Sequence, residues 1–197
     1  MAPQRFYVHK NIYDAFAELV SKYVSQLKVG GGFEDGVNVG PLITAKQRDS
    51  VVELLEKSKS ENADILTGGH QPENLSKGYF IQPAVVANLD QTSALAKNEI
   101  FGPILPLFKF DDLEDALAKA NDTEYGLAAY AFTNNLKTAI QVSEGLEFGI
   151  VGINEWAAHG TELPFGGWKQ SGQGHESGSE GLYEYMEKKL ISIGGLA

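Results

Sequence analysis

The sequence predicts an α/β fold in which a mostly parallel sheet is flanked by helices. Apolar strands alternate with helices along the second half of the chain, a pattern that implies right-handed crossovers and a mostly parallel sheet. The first half carries two longer amphipathic helices bounded by strand-like segments. The chain of 197 residues is 43% apolar, enough to bury a core without staples, and it contains no cysteine.

The elements follow in order. Arg5-Phe6-Tyr7-Val8-His9 reads as a strand. Asn11 is placed to cap a helix whose apolar residues are Ile12, Phe16, Leu19, Val20, Tyr23, Val24 and Leu27, and Gly30-Gly31-Gly32 is expected to stop it. Thr44-Ala45-Lys46-Gln47 has the form of a capping box, in which the Thr hydroxyl and the Gln amide serve each other's end of the first turn of a helix reaching about Asn62. Strands are expected over 63–67, 79–81 and 84–86. Another is expected over 104–110, where Pro106 implies an edge position or a bulge. Then come a helix over 113–121, a strand over 128–133, a helix over 136–143 and an apolar strand over 148–153. Ligands of such sheets sit beyond strand carboxyl ends, so the loop after Ile153 is a candidate site. The glycine-rich stretch 164–181 is too long for a casual connection. Residues 182–189 form a short helix or extended arm, and Leu190–Ile193 alternates like an edge strand.

Charge and composition exclude several classes. Lys plus Arg total 16 against 26 Asp plus Glu, a formal charge of -10, which leaves no basic footprint for nucleic acid. No apolar run reaches the ~20 residues a membrane span requires. The opening residues 1–5 have no apolar signal core, so a cytoplasmic location is expected. Without cysteine there is no disulfide, thiolate metal site or thiol catalysis, and the four histidines have no ligand-like spacing, so no metal is expected. No Gly-x-Ser-x-Gly elbow is present.

Two segments carry candidate chemistry. In Glu99-Ile100-Phe101-Gly102-Pro103, a carboxylate acceptor and a flat apolar ring lie two residues apart, a pair suited to a ribose diol and a heteroaromatic ring. In Pro164-Phe165-Gly166-Gly167-Trp168-Lys169-Gln170-Ser171-Gly172, paired glycines allow close backbone approach and two aromatics can wall a pocket. Each segment read alone is better explained as a packed turn or loop.

Taken together and in order, the motifs resemble the aldehyde dehydrogenase superfamily. The resemblance runs from the Arg5–Val8 strand through Val39-Gly40-Pro41-Leu42-Ile43, the 99–103 segment, Asn121-Asp122-Thr123-Glu124-Tyr125-Gly126-Leu127, Gly152-Ile153-Asn154, Pro164–Gly167 and Lys169–Gly172. The ending Ile193-Gly194-Gly195-Leu196 is similar to the succinate-semialdehyde dehydrogenase branch.

The resemblance implies the catalytic-domain fold of that family over 1–177 and a C-terminal oligomerisation arm over 178–197. It implies oxidation of an aldehyde to an acid with NAD or NADP. A cysteine thiolate attacks, hydride leaves to the cofactor, and a glutamate activates water. Glu99 then matches the residue that holds the nicotinamide ribose, and Phe101 the aromatic packed on the nicotinamide. Phe165 matches a tunnel-lining phenylalanine, Glu176 a proton-relay glutamate, and Asn154 an asparagine near the pocket. His159 stands in the substrate-specificity loop 156–162, where the succinate-semialdehyde branch carries a serine.

The family nucleophile lies about five residues before the strand's Arg, which here falls just ahead of Met1. The general-base glutamate and the dinucleotide-binding half also lie upstream in the family. The expectation is therefore a truncated family member that is inactive alone and does not hold the cofactor tightly. The alternatives are a subunit that completes a split enzyme with an N-terminal partner chain, or a non-enzymatic module. A homo-oligomer through the C-terminal strand is expected, with no nucleic-acid or membrane partner.

Overall fold

The structure, a computed structural model, describes residues 2–158 and 160–195. The chain forms two compact units, residues 1–120 and 121–197. The first contains β1 (Phe6–His9), α1 (Tyr13–Ser25), α2 (Ala45–Ser60), β2 (Asp64–Thr67), β3 (Ala84–Leu89), the single turn α3 (Ala94–Lys97), β4 (Ile104–Phe110) and α4 (Leu113–Asn121), whose last residue begins the second unit. The second contains β5 (Tyr125–Gly126), β6 (Ala128–Ala131), α5 (Leu136–Gly145), β7 (Ile150–Ile153), β8 (Trp168–Lys169) and the single turn α6 (Glu180–Tyr183).

The first unit is a three-layer sandwich whose sheet runs β1-β4-β3-β2, with β1 and β3 parallel to β4 and β2 antiparallel to β3. The period-2 alternation of β3 divides its side chains between two cores. Val85 and Ala87 join Val8, Leu107 and the α1 residues Tyr13, Ala17 and Val24. Ala84 and Val86 face the other way, onto Val51 and Leu55 of α2 with Ile81, Leu95, Ile100 and Ile104. At about 25 cal/mol per Å² of apolar surface, these clusters are the main stabilising term of the unit. Tyr13 buries a hydroxyl here and satisfies it twice: it donates to the Leu107 carbonyl at 3.1 Å and accepts the Asn88 N–H at 3.3 Å.

In the second unit β6 runs parallel to β7, β5 pairs antiparallel with β8, and α5 makes the crossover between the parallel strands. The expected α/β class with mostly parallel pairing is what the chain adopts, although the strands of the described residues fall into three separate sheets.

Several local expectations need correction. A tight turn in which the Ile12 N–H donates to the His9 carbonyl at 3.0 Å carries the chain out of β1. Asn11 is thus inside the turn, and Ile12 occupies the cap position of α1 with no side-chain bond. Gly30–Gly32 does not end α1, which stops at Ser25. Those glycines belong to a loop closed by the Lys28 N–H on Asn38 Oδ1 at 2.9 Å and by the Gly31 N–H on Glu34 Oε1 at 2.9 Å. The apolar set of α1 exceeds what one sheet face can cover: Ile12, Leu19 and Tyr23 stay exposed. For Pro106 the two expected settings, edge or bulge, resolve to the bulge: it sits in β4, a central strand. Its missing N–H is absorbed on the β3 side, where the register breaks between Val86, its partner, and Leu89. Residues 79–81 form no strand, and the expected edge strand at 190–193 has no regular structure. A strand needs a partner to form, and Leu190, Ile191 and Ile193 have none here and are exposed.

Candidate functional site

The segment Glu99–Gly102 leads directly into β4. Ile100 is its anchor: only 2% exposed, it is part of the α2-side core. With Ile100 turned into the core, Glu99 is exposed and Phe101 is 64% exposed. Phe101 adopts φ 47, a left-handed conformation that costs a non-glycine residue about 1–3 kcal/mol. It persists because hydrogen bonds and close packing hold the loop on each side. The Ile100 N–H donates to Gln4 Oε1 at 3.0 Å, and the Phe101 carbonyl accepts Gln47 Nε2 at 2.7 Å. Gly102 lies so close to α2 that a Cβ there would stand 2.4 Å from Val51 Cγ2.

The donor from Gln47 corrects the capping-box expectation. Thr44 does cap α2, its Oγ1 accepting the Gln47 N–H at 3.1 Å. The Gln47 side chain, however, reaches across to the Phe101 loop, not back to Thr44. Neither Gln4 nor Gln47 stands out as functional in the sequence. The one signal for Gln47 was its N3 position, which pointed to a local partner.

The second segment is built from backbone. Phe165 and Glu176 form an isolated antiparallel pair that exchanges hydrogen bonds, Phe165 N–H to Glu176 O at 2.8 Å and Glu176 N–H to Phe165 O at 2.7 Å. Paired residues of this kind present their side chains to one face, so a half-buried phenylalanine and an exposed carboxylate stand side by side. Glycine makes the approach possible: a Cβ on Gly166 would lie 2.6 Å from the Gly174 carbonyl oxygen. Asn154 closes the carboxyl end of β7. It adopts φ 55, and its amide straddles the Thr133 backbone, Oδ1 accepting the N–H at 2.8 Å and Nδ2 donating to the carbonyl at 2.8 Å. Both ends of that amide are thus occupied in holding the β6 and β7 ends together. His159 lies outside the described residues.

Two other motif segments join each other. Lys169, also left-handed at φ 53, places Nζ against Asn121 O at 2.9 Å, Thr123 O at 3.3 Å and Glu147 Oε2 at 2.7 Å. The Gln170 N–H donates to Glu124 O and the Gly126 N–H to Ser171 Oγ, both at 2.9 Å or less. The Asn121–Leu127 and Lys169–Gly172 runs are therefore one structural joint. Their side chains hold the chain together and leave the outward chemistry to Phe165 and Glu176.

Chemically, the first segment offers a solvent-facing carboxylate beside a solvent-facing ring, a fit for vicinal hydroxyls and a planar heterocycle. Among the described residues no cluster of His, Cys, Asp or Glu has the makings of a metal site. Among them too, no helix is long and apolar enough to cross a membrane.

Comparison with known proteins gives a match to the aldehyde dehydrogenase family over residues 1–191. The chain is 41% identical over 189 residues to glutarate-semialdehyde dehydrogenase of Pseudomonas putida, covering 96% of this chain and 38% of that protein. It is 43% identical over 193 residues to succinate-semialdehyde dehydrogenase [NADP(+)] 2 of Schizosaccharomyces pombe, covering 98% and 39%. It thus spans about two fifths of the length of these relatives. Among solved structures, betaine aldehyde dehydrogenase of Staphylococcus aureus in complex with NAD+ superposes with a TM-score of 0.88 at 35% identity, over 92% of this chain and 37% of that one. The aldehyde dehydrogenase of Brucella melitensis biovar abortus superposes with a TM-score of 0.87 at 43% identity, over 93% and 37%.

Proposed function

The chain belongs to the aldehyde dehydrogenase family, and on that premise we propose that it supplies the nicotinamide-ribose contacts and part of the substrate tunnel for a cytoplasmic, NAD(P)-dependent oxidation of an aldehyde to its acid. The observation that carries this reading is the outward pair Glu99 and Phe101, held on a buried Ile100. A surface phenylalanine kept in a costly left-handed conformation needs a purpose, and a carboxylate two residues away defines one. Glu99 accepts the ribose hydroxyls, and Phe101 packs on the nicotinamide. The cofactor, when bound, supplies the hydride acceptor. Phe165 lines the tunnel, Glu176 moves a proton at its carboxylate, and Asn154 shapes the pocket floor by fixing the ends of β6 and β7.

The substrate is an aldehyde bearing a carboxylate at its far end, with succinic semialdehyde favoured. The named relatives that act on succinate and glutarate semialdehydes support this class, and a protonated His159 suits such a carboxylate. The family reaction begins with a thiolate, and the 197 residues include no cysteine. The chain alone is therefore inactive as a dehydrogenase and binds NAD(P) weakly.

A second reading is favoured by the apolar residues left uncovered on α1 and the arm, Leu19, Tyr23, Leu190 and Ile193 among them. In this reading the chain completes a split enzyme with a partner that carries the nucleophile and the dinucleotide-binding part, and it self-associates through 190–193.

The test has two steps. The folded chain is mixed with NAD+ or NADP+ and succinic semialdehyde, and reduced cofactor is followed by absorbance; no turnover is expected. Co-expression with the remaining N-terminal part of the Schizosaccharomyces pombe relative should then restore turnover. The Glu99→Gln variant should lower it by about tenfold or more, with the larger effect at low cofactor concentration. Turnover by the purified chain alone would overturn the inactivity, and full activity of Glu99→Gln in the reconstituted enzyme would overturn the assignment of the pair.

A further inference from the structure

We propose that Gln47 is a positioning residue for the nicotinamide contact: by donating to the Phe101 carbonyl it holds the ring and the Glu99 carboxylate in their outward arrangement. This deepens the reading of Glu99 and Phe101 given above and rests on it.

The argument starts from what Gln47 gives up. At the third position of a helix opened by a threonine cap, a glutamine side chain ordinarily turns back toward the cap residue's own N–H. Here the Thr44 hydroxyl takes its half of that exchange, accepting the Gln47 N–H at 3.1 Å. The Gln47 amide is spent elsewhere, 2.7 Å from the Phe101 carbonyl and 3.4 Å from that of Ile100. The partner is 54 residues away along the chain, so the bond is tertiary and fixes one element against another.

The bond falls where it decides the conformation. Phe101 has φ 47, which its own side chain disfavours, and its carbonyl is the last hinge before Gly102 packs against Val51. Core burial of Ile100 fixes the loop on one side and Gln4 fixes the Ile100 N–H. Neither touches the Phe101 peptide. Without the Gln47 donor, that peptide is free to leave the left-handed region for an extended conformation, and the ring direction changes with it. The α2 face below, carried by Val51 and Leu55, does not depend on this bond.

Gln47→Glu separates the two roles. Glutamate at this position completes a capping box and so favours the helix, but its carboxylate cannot donate to the Phe101 carbonyl. The readout is NMR of the chain as it stands: Phe101 backbone shifts and couplings report φ, amide exchange reports opening at 101–102, and shifts on adding millimolar NAD+ report the contact. In Gln47→Glu the melting temperature should be unchanged or higher and the Val51 and Leu55 signals undisturbed. Phe101 should lose its left-handed signature, its exchange should rise about tenfold, and its NAD+-induced shifts should fall severalfold. Gln47→Asn, a donor too short to reach, should behave as Gln47→Glu does at Phe101. An unchanged Phe101 signature in both variants overturns the proposal, as does a Gln47→Glu chain that loses stability together with its α2 core signals. A wild-type chain that shows the left-handed signature and no NAD+-induced shift at 99–102 leaves Gln47 as a clamp but sinks the cofactor reading, so the two failures are told apart.

Discussion

The Glu99–Phe101 loop and the Phe165–Glu176 pair both present an aromatic ring and a carboxylate, and they are held by opposite means. The first precedes a parallel strand and is fixed by side chains: Ile100 in the core, Gln4 and Gln47 on its peptides. The second follows the last parallel strand and is fixed by main chain: a two-bond bridge, glycines at van der Waals limits, and an ammonium group seated on carbonyls. Side-chain clamps can be released one at a time while the core stays folded. Main-chain clamps fail together, because the atoms that meet are the ones every residue has. The first region is therefore the natural place to tune a contact and the second the natural place to break a unit.

The largest expected effect follows from that contrast. A Cβ on Gly149 would lie 2.0 Å from the Gly166 carbonyl oxygen, and backbone cannot step aside as a side chain can. Gly149→Ala should cost the second unit about 3 kcal/mol or more. Both tryptophans, Trp156 and Trp168, lie in that unit, so their fluorescence during urea unfolding reads it directly. An unshifted fluorescence midpoint would mean that the segments are not packed as described, and the contrast would fail.

Lys169 comes next. Its ammonium is shared among two carbonyls and one carboxylate, and its side chain is 25% exposed. Lys169→Met should cost about 1–2 kcal/mol by stranding the carbonyls. Glu147→Gln, which removes only the charge partner, should cost less than about 1 kcal/mol, and that part should vanish in high salt. If Glu147→Gln costs as much as Lys169→Met, the joint is an ion pair and not a carbonyl seat.

The same contrast explains what could be read from the sequence. Elements with clear apolar spacing, such as α4, α5 and β7, are legible in the sequence to within two residues. Pro106 marked an edge or a bulge, and the bulge is what the chain adopts, because a central strand can absorb a lost donor through irregularity in its neighbour. Asn11 misled because the turn after β1 takes one more residue than a cap allows. The chemistry of Glu99 and Phe101 is legible as a candidate pair, and the resemblance of their motif is what sets it above an ordinary packed turn. Gln47 was not visible as a clamp at all: a hydrogen bond spanning 54 residues leaves no trace in local spacing, and its position advertised a local partner instead. The Lys169 joint was half legible. The Lys169–Gly172 run reads as part of a pocket wall and the Asn121–Leu127 run only as a motif of the resemblance, whereas the structure joins the two by hydrogen bonds.

The smallest effect concerns the first unit and sharpens the comparison from the side of its core. Burial holds the Tyr13 hydroxyl above its ordinary value of 10.0, opposed by the bond from the Asn88 N–H and reinforced by Asp14 and Asp64. The folded state therefore keeps this proton at a pH where the unfolded chain has begun to release it. The unfolded state binds fewer protons there, so stability falls as pH rises. The contribution is complete below 10.0 and is lost as pH climbs through the higher folded value. Tyr13→Phe removes one donor to Leu107 and should cost about 1 kcal/mol at neutral pH. It should also flatten the alkaline decline, so that the gap between wild type and variant closes between about pH 9 and about pH 11. Urea unfolding followed by far-UV circular dichroism at each pH measures that gap. A gap that stays constant across the range would mean that the Tyr13 hydroxyl is solvated, and the α1-side core would then be looser than the α2-side core on which the Phe101 loop is anchored.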